Sequence, residues 1–290
     1  MDKSIITVKI LGTAQDGGIP QANCFCNNCT EAINNPSKKR FASSLGILLP
    51  DLKKWYMLDA TPDFKDQLLL INKDHQAFKL DGIILSHAHI GHYTGLMFLG
   101  KEAMATNELD IFAGNKMKNM LTKHFPWKQL VDLNNINIKD LIADHPIKLE
   151  SNLTITPLEV PHRNEYSETF GFVISGLNKK ILYIPDIDKW EEWDCNLVDI
   201  ASKVDYCFID ATFYSEEELK QLGRNFKDIP HPYITDSMDL LQKVVDRNKC
   251  EVYFLHFNHT NPILNSGSAE RTALKNRGFK IAEEGMEFHL

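Results

Sequence analysis

Short apolar runs rich in β-branched and aromatic residues alternate with longer amphipathic stretches along the chain. The apolar runs have the length of strands, and we predict strands over Ile5–Leu11, Ser44–Leu49, Trp55–Asp59, Gly82–Leu85, Asp110–Ala113, Leu153–Val160, Phe170–Ser175, Lys180–Ile184, Tyr206–Ile209 and Val252–Phe257. The amphipathic stretches predict helices over Asp63–Ile71, Thr94–Met104, Lys116–His124, Asp236–Asn248 and Ala269–Asn276. Clusters of strands with helices between them predict an α/β fold, either two mixed sheets face to face with helices outside or an ordinary three-layer sandwich.

Bulk composition narrows the class of protein. The 290 residues contain no Gly/Ser linker, low-complexity tract or internal repeat, so we expect one domain over residues 1–290. The formal net charge of −7 disfavours nucleic acid as a partner, because proteins that neutralise phosphates are usually basic. No apolar stretch approaches the roughly 18 residues of a membrane span. The sequence thus favours a cytoplasmic protein that acts on a small-molecule substrate, and it leaves a homodimer open.

The most informative segment is His87-Ala88-His89-Ile90-Gly91-His92, which follows an apolar strand and precedes a predicted helix. Side chains at positions i and i+2 of an extended strand end point the same way, so His87 and His89 can share one metal ion. His92 stands where the chain turns into the helix and can reach a second position. The pattern predicts a metal site at a strand-to-helix junction.

This segment resembles the H-x-H-x-D-H signature of the metallo-β-lactamase superfamily, and three further matches follow in the order of that family. His162, Asp186 and His256 each lie at or just after the end of an apolar, strand-like run. The resemblance implies the metallo-β-lactamase fold, a four-layer αββα sandwich of two mixed β-sheets. All of the matching residues would lie on loops at one rim of the sandwich, where binding groups usually sit.

The resemblance also implies a set of active-site metal ligands, which are His87, His89, His92, His162, Asp186 and His256. The first two histidines and His162 would hold one ion, and Asp186 would bridge to a second ion held by the other two histidines. One position departs from the family, because the aspartate of the signature is Gly91 here. Loss of a carboxylate removes a ligand and a negative charge, so the affinity of the second position for a divalent cation should fall.

This departure leaves two alternatives open. One is a single metal ion at the active site. The other is a different metal, since His92, His256 and Asp186 form the two-histidine, one-carboxylate set that suits non-haem Fe(II).

A second cluster of potential ligands is formed by Cys24, Cys26 and Cys29, spaced C-x-C-x-x-C. In a reducing compartment, clustered thiols are more often metal ligands than disulfide partners. Three thiolates need a fourth ligand to close a tetrahedral zinc site, and the candidate is His259. On an extended chain an odd separation directs two side chains to opposite faces, so His259 points away from the face of His256. We expect a structural zinc loop at about residues 20–30, with a free-thiol loop or a local disulfide as the alternative. The remaining cysteines are expected to be small buried apolar residues, namely Cys195, Cys207 and Cys250.

Two families share more specific features with the chain. The phosphodiesterase of the bacterial phosphonate pathway resembles it in pairing a C-x-C-x-x-C zinc loop with a final H-x-x-H. Coenzyme PQQ synthesis protein B resembles it over more of the length and is the nearest family by its motifs, in residues 11–14, 17–21, 58–63, 92–96 and 260–264. That family lacks the first two histidines of the cluster, whereas His87 and His89 are present here. The difference weakens any transfer of its biosynthetic role.

The segment Phe208–Phe213, followed by His231, resembles the tRNase Z family. There an acidic residue before Ala-Thr-Phe cooperates with a later histidine in protonating the leaving group. The resemblance implies that Asp210 and His231 are a catalytic pair, with Asp210 fixing the tautomer of the histidine and favouring its charged form. A solvated histidine on a loop is the alternative. The loop from Gly12 to Gly18 lacks the Gly-Lys-Ser/Thr of a phosphate-binding loop, and we expect it to line the site with Asp16 touching substrate or solvent.

Three functions follow from these motifs. The first is a metal-dependent hydrolase that uses metal-activated water on a phosphodiester or another ester. The second is an iron-dependent oxidase or hydroxylase in cofactor or peptide modification, like coenzyme PQQ synthesis protein B, and the third is a non-catalytic metal-binding module. The expected cofactor is zinc, one ion structural and one or two at the active site, with iron or manganese as alternatives there. Substrate choice should lie in the loops 163–168 and 213–230.

Overall fold

The structure is a computed structural model that describes residues 5–75, 77–221 and 230–290. Its strands are β1 Thr7–Gly12, β2 Ser44–Leu49, β3 Lys54–Leu58, β4 Lys79–Ile84, β5 Leu109–Ala113, β6 Ile136–Asp140, β7 Ile147–Glu150, β8 Leu153–Glu159, β9 Phe170–Ser175, β10 Lys180–Ile184, β11 Tyr206–Asp210, β12 Glu251–Leu255, β13 Lys280–Ile281 and β14 Glu287–His289. Its α-helices are α1 Asn27–Asn34, α2 Phe64–Asn72, α3 Ile90–Tyr93, α4 Asn115–Lys123, α5 Lys128–Asp132, α6 Leu197–Ala201, α7 Glu216–Gln221, α8 Ile234–Asp246 and α9 Ala269–Asn276.

The strands form two mixed sheets of seven strands each. One has the order β14-β1-β2-β3-β4-β5-β6 and the other the order β13-β12-β11-β10-β9-β8-β7. Within the first sheet β3 to β6 run parallel, and within the second β10 to β13 run parallel. Parallel neighbours end at the same edge of a sheet, so the loops that follow them are brought together.

Three apolar layers hold the sheets and helices together. The layer between the sheets is built from alternate residues of both, such as Val8 and Ile47 from one and Phe172 and Tyr183 from the other. A second layer packs α8, through residues such as Leu241, against the outer face of β11 and β12. A third packs α2 and α4 against the outer face of the other sheet. The result is the predicted four-layer αββα sandwich of two mixed sheets.

Two predicted elements differ from those observed. In place of the predicted helix Thr94–Met104 the structure has a 3₁₀ segment, Thr94–Leu99, directly after α3. Gly95 explains why no regular α-helix forms here. Its N–H donates to Ala60 O at 2.8 Å, and a β-carbon on residue 95 would lie 2.4 Å from Thr61 O. The predicted strand Val252–Phe257 ends at Leu255, since the next residue has a φ of 63°.

Sequence periodicity missed four strands, β6, β7, β13 and β14, which are short, partly polar and exposed at the margins of the sheets. Of the loop at 213–230 that we expect to influence substrate choice, residues 222–229 lie outside the described residues. In the described ranges no helix combines the length and the apolar character needed to cross a membrane.

Candidate metal centre

The potential ligands lie where strands of both sheets end at one edge of the sandwich. β4 leads into His87 and His89, and β8 leads into His162. The parallel strands β10 and β12 lead into Asp186 and His256. The chain geometry thus brings together side chains that are up to 169 residues apart in sequence.

Four of these side chains form the first potential metal position. The ligand atoms of His87, His89, His162 and Asp186 all lie within 4.8 Å of one another. His89 Nδ1 is 2.9 Å from His87 Nε2 and 3.2 Å from His162 Nε2. Asp186 Oδ2 is 3.4 Å from His87 Nε2 and 3.2 Å from His162 Nε2. A tetrahedral zinc ion with bonds of about 2.0–2.1 Å separates its ligand atoms by roughly 3.3 Å, so this set fits a single ion.

The opposite ring nitrogens of the histidines are already engaged. His162 Nδ1 lies 2.8 Å from Asp188 Oδ1, and His87 Nδ1 lies 2.9 Å from Ser86 Oγ. A histidine that ligates a metal almost always uses its other nitrogen in this way, because the partner fixes the tautomer and the ring orientation. The Nε2 atoms of both rings are therefore left to face the centre.

The second position is formed around His92 and His256. His92 Nδ1 is 2.8 Å from Asp59 Oδ2, and His256 Nδ1 is 3.0 Å from Thr212 Oγ1. The free Nε2 atoms of the two rings lie 3.8 Å and 3.7 Å from Asp186 Oδ2. Asp186 therefore lies between the two positions, where the sequence analysis expects a bridging ligand.

Asp16 also reaches the second position. Its Oδ1 lies 3.3 Å from His92 Nε2, and Asp16, His92 and His256 form a group whose ligand atoms lie within 4.8 Å of one another. The sequence analysis places this residue at the site but not among its ligands. No local spacing connects Asp16 to the histidine cluster, so the signature gives no signal for it.

The buried histidines and carboxylates of the cluster shift one another's pKa values. Burial and the neighbouring His92 lower the pKa of His87, whereas in His162 burial is outweighed by Asp186 and Asp188, which raise its pKa to about 10. Burial also opposes ionisation of Asp186, yet His162 and His256 hold its pKa well below the usual carboxyl value. The carboxylate stays ionised because the neighbouring imidazoles outweigh the effect of burial.

His231 and Asp210 form a buried pair beside these positions. His231 Nδ1 lies 2.8 Å from Asp210 Oδ2 and 3.3 Å from Asp186 Oδ1. Although burial disfavours charge on both groups, Asp210 raises the pKa of His231, and His231 lowers that of Asp210 to about 2. The structure therefore brings these two residues together at the edge of the histidine cluster, and His231 is buried rather than solvated.

The cysteine cluster lies against His259. The Sγ atoms of Cys24, Cys26 and Cys29 are 3.3, 3.4 and 3.6 Å from His259 Nδ1. Tetrahedral zinc with bonds of about 2.3 Å to sulfur and 2.0–2.1 Å to nitrogen would set these distances near 3.6 Å. Cys26 precedes α1 and Cys29 lies in the first turn of that helix, so α1 brings the third thiol to the other two.

Two local expectations are wrong, one on the backbone at His256 and one on the burial of Cys195. His256 and His259 do reach different clusters, but not through an extended chain, because His256 is in the left-handed region with a φ of 63°. Cys195 is exposed, whereas Cys207 and Cys250 are buried as expected. The sequence around Cys195, Glu-Glu-Trp-Asp-Cys, is mostly polar, and this signal argues against a buried position.

A cleft of about 420 Å³ opens over the histidines, within the 300–1,000 Å³ that is typical of small-molecule sites. Its lining residues include Asp16, His89, His162, Arg163, Asp186 and His231. The sequence analysis did not single out the side chains that contact the rings of the potential ligands, namely Asp59, Asp188, Thr212 and Ser86. Asp188 offers a signal in hindsight, since it follows Asp186 at the spacing i+2.

Comparison with known proteins agrees with this architecture. Residues 54–257 match the model of the beta-lactamase superfamily domain. Coenzyme PQQ synthesis protein B of Acinetobacter baumannii (strain ACICU) is 30% identical, and the match covers 98% of this chain and 99% of that protein. Zn²⁺-bound PqqB from Methylobacterium extorquens superposes with a TM-score of 0.79 at 22% identity, covering 98% of this chain and 100% of that one. A diphosphatase of the PhnP family gives a TM-score of 0.69 at 19% identity, covering 99% and 98%.

The chain therefore belongs to the β-lactamase superfamily. Within that superfamily, its similarity to coenzyme PQQ synthesis protein B extends over nearly the whole length of both proteins. The resemblances to the superfamily and to coenzyme PQQ synthesis protein B, which the sequence analysis drew from motifs, are confirmed. The two solved structures are less than 25% identical to the chain and show a shared fold.

Proposed function

We propose that this chain is a metal-dependent hydrolase that cleaves a phosphodiester or another ester. The observation that carries the proposal is the group of His87, His89, His162 and Asp186, whose ligand atoms converge beside a cleft that the last three residues line. A divalent cation held there would supply Lewis-acid chemistry, because it lowers the pKa of water and stabilises negative charge developing on an ester oxygen. We propose zinc as that cation, with iron or manganese as alternatives.

Two cleft residues supply the remaining functions of such a reaction. Arg163 lines the cleft, and its guanidinium suits bidentate binding of a phosphate group. His231 gives a proton to the leaving oxygen. Because its Nδ1 is engaged by Asp210, its Nε2 is the nitrogen left for this transfer. Asp210 does not touch the substrate and acts as the residue that positions His231.

The cysteine cluster is proposed as a structural zinc site. Its four ligand atoms lie within 4.8 Å of one another, and it joins the loop before α1 to the segment that follows β12. Such sites contribute folding free energy directly. We also propose that the whole chain forms one domain of a cytoplasmic protein, and that its partner is a small-molecule substrate.

Two observations favour a second candidate function. Similarity to coenzyme PQQ synthesis protein B covers 98% of the chain, and His92, His256 and Asp186 provide the two histidines and one carboxylate that suit Fe(II). An iron-dependent oxidation of a small molecule or peptide is therefore the alternative to hydrolysis.

Metal analysis combined with a substrate panel tests the choice. Protein purified without added metal should contain at least two equivalents of zinc and, when loaded, should hydrolyse members of a panel of phosphodiesters, cyclic nucleotides, lactones and thioesters. Iron at the histidines together with oxygen consumption, and no hydrolysis of any panel member, would overturn the hydrolase proposal in favour of the alternative.

The role of His231 can be tested with leaving groups. His231→Ala should slow cleavage of an alkyl phosphodiester by about 10²–10⁴-fold, but it should slow a p-nitrophenyl ester much less, because nitrophenolate leaves without a proton. His145→Ala is a suitable control, since that histidine is exposed and remote from the cleft lining. Equal losses on both esters would contradict the proposed proton transfer.

A further inference from the structure

The position that departs from the superfamily signature is filled by another residue. A β-carbon built on Gly91 would lie 2.1 Å from Asp16 Oδ1 and 2.5 Å from Asp16 Cα. Real β-carbons essentially never approach other atoms within 3.0 Å. The side chain of Asp16 therefore occupies the space where a side chain at residue 91 would begin.

Four buried polar atoms of the cluster lack hydrogen bonds. They are Asp16 Oδ1, His92 Nε2, His256 Nε2 and Asp186 Oδ1, and they are four of the six buried side-chain atoms without a partner among the described residues. Although 41% of the Asp16 side chain is exposed, its Oδ1 is buried. Burying a polar atom without a partner is unfavourable. Asp16, His92 and His256 form one group whose ligand atoms lie within 4.8 Å of one another, so their three unpartnered atoms indicate a cation bound among them.

The loop that carries Asp16 is fixed to the strand end that carries His256. Gln15 N donates to Phe257 O at 2.9 Å, Phe257 N donates to Thr13 O at 2.9 Å, and Ala14 forms a bridge with Phe257. The loop closes on itself, since Gly18 N donates to Gln15 O at 2.8 Å. Asp16 and His256 are thus held in a fixed relation before any ion binds.

We infer that Asp16 supplies the second metal position with the carboxylate that the superfamily signature places at residue 91, and that Gly91 lacks a side chain because Asp16 fills its place. The inference rests on the proposed metal centre and extends it by one ligand. Asp16 restores both the oxygen ligand and the negative charge that the substitution removes. The second position then has two imidazoles and the carboxylates of Asp16 and Asp186, and the reduced affinity that the sequence alone suggests does not follow.

Metal titration of apo-protein tests this inference without measuring activity. Asp16→Asn keeps the shape of the side chain and removes the charge. Glu165→Gln is the matched control, because it removes the same charge from an exposed residue of the loop that follows His162. Cobalt(II) is the probe, since its thiolate absorption bands report the cysteine site separately from the histidine positions.

The wild type should take up two Co²⁺ ions at the histidines and one at the cysteines. Asp16→Asn should bind the second histidine-site ion at least about 100-fold more weakly, because losing even an outer partner of a ligand costs 10–100-fold. Glu165→Gln should match the wild type. If Asp16→Asn retains both ions with wild-type affinities, the inference is wrong. If the wild type itself takes up no ion at the histidines, the proposed hydrolase is wrong instead.

A second variant tests the close approach of Asp16 and residue 91 by changing residue 91. Gly91→Ala places a methyl group where Asp16 lies, so it should weaken the same ion as Asp16→Asn does and leave the cobalt–thiolate bands unchanged. Gly267→Ala is its control, because a β-carbon there meets nothing closer than 3.6 Å. Circular dichroism establishes that both variants fold. A folded Gly91→Ala protein with unchanged affinity for both ions would overturn the inference, and if the variant does not fold, the titration of Asp16→Asn decides.

Discussion

The carboxylate of Asp59 provides a quantitative test of how the second metal position is held. Asp59 is fully buried and accepts three hydrogen bonds, from Ser86 N at 2.7 Å, from Ser86 Oγ at 2.8 Å and from His92 Nδ1 at 2.8 Å. In Asp59→Asn, Oδ1 can still accept from Ser86 N. The new amide group, however, faces both Ser86 Oγ and His92 Nδ1 and donates where the carboxylate accepted.

Two effects follow, and each has an expected size. Replacing two charge-assisted hydrogen bonds of about 1.5–3 kcal/mol by neutral ones of about 0.5–1.5 kcal/mol should lower the free energy of unfolding of the apo-protein by about 2–3 kcal/mol. The amide also favours the His92 tautomer with its proton on Nε2, which cannot ligate a metal. Affinity for the second ion should therefore fall by about 10–100-fold, which corresponds to about 1.4–2.8 kcal/mol.

Urea unfolding of the apo-protein and competition with a chromophoric chelator measure the two quantities. Asp63→Asn is the matched control, because Asp63 lies four residues further along and accepts a hydrogen bond from Ala42 N at 2.8 Å without contacting a histidine. It should leave metal affinity unchanged. The reasoning is refuted if Asp59→Asn binds both ions within about twofold of the wild type and loses no more stability than the control.

Three further predictions follow from other parts of the site and fold. His89→Ala should abolish hydrolysis of a chromogenic phosphodiester while the melting temperature stays within about 2 °C, because the side chain is only half-buried at the cleft; a large fall in melting temperature would contradict a purely functional role. Cys26→Ser should lower the melting temperature, and a chelator should lower that of the wild type by more than that of the variant, because structural zinc stabilises the fold directly. At the far end of the sheet, burial opposes ionisation of Asp81, but Lys54 and the Tyr56 hydroxyl outweigh it and lower the pKa of this carboxyl. Asp81→Asn should therefore be less stable than the wild type at pH 7, and denaturation curves should converge as the pH falls below the ordinary carboxyl value of 3.8.

The sequence predicted those residues of the candidate site that lie close together along the chain. His87, His89 and His92 stand at a strand-to-helix junction, and their spacing alone is enough to propose a metal site. Cys24, Cys26 and Cys29 are equally local. Only His259 required an argument about chain direction, and it does lie beside the cysteines although the backbone conformation assumed for His256 is wrong.

Residues whose role depends on packing between distant segments could not be predicted in this way. Asp16 and Gly91 are 75 positions apart, and their relation exists only because the loop after β1 lies against the end of β12. Asp59 follows β3 and orients a histidine that follows β4, a pairing set by the parallel register of these strands. Short margin strands such as β13 and β14 lack a periodic signal because two or three residues do not span a full pattern.

The distribution of the ligands along the chain has a consequence for how the protein matures. The first position draws only on residues up to Asp186, whereas the second also needs His256, and the cysteine cluster needs His259. During synthesis a nascent chain would thus complete its first ion site some 70 residues before the other two, which would be assembled only once β12 has left the ribosome and the opening loop has docked against it. Metal binding at the two proposed later sites would then be among the final events of folding, and it would report that the loop after β1 has docked against the segment that follows β12.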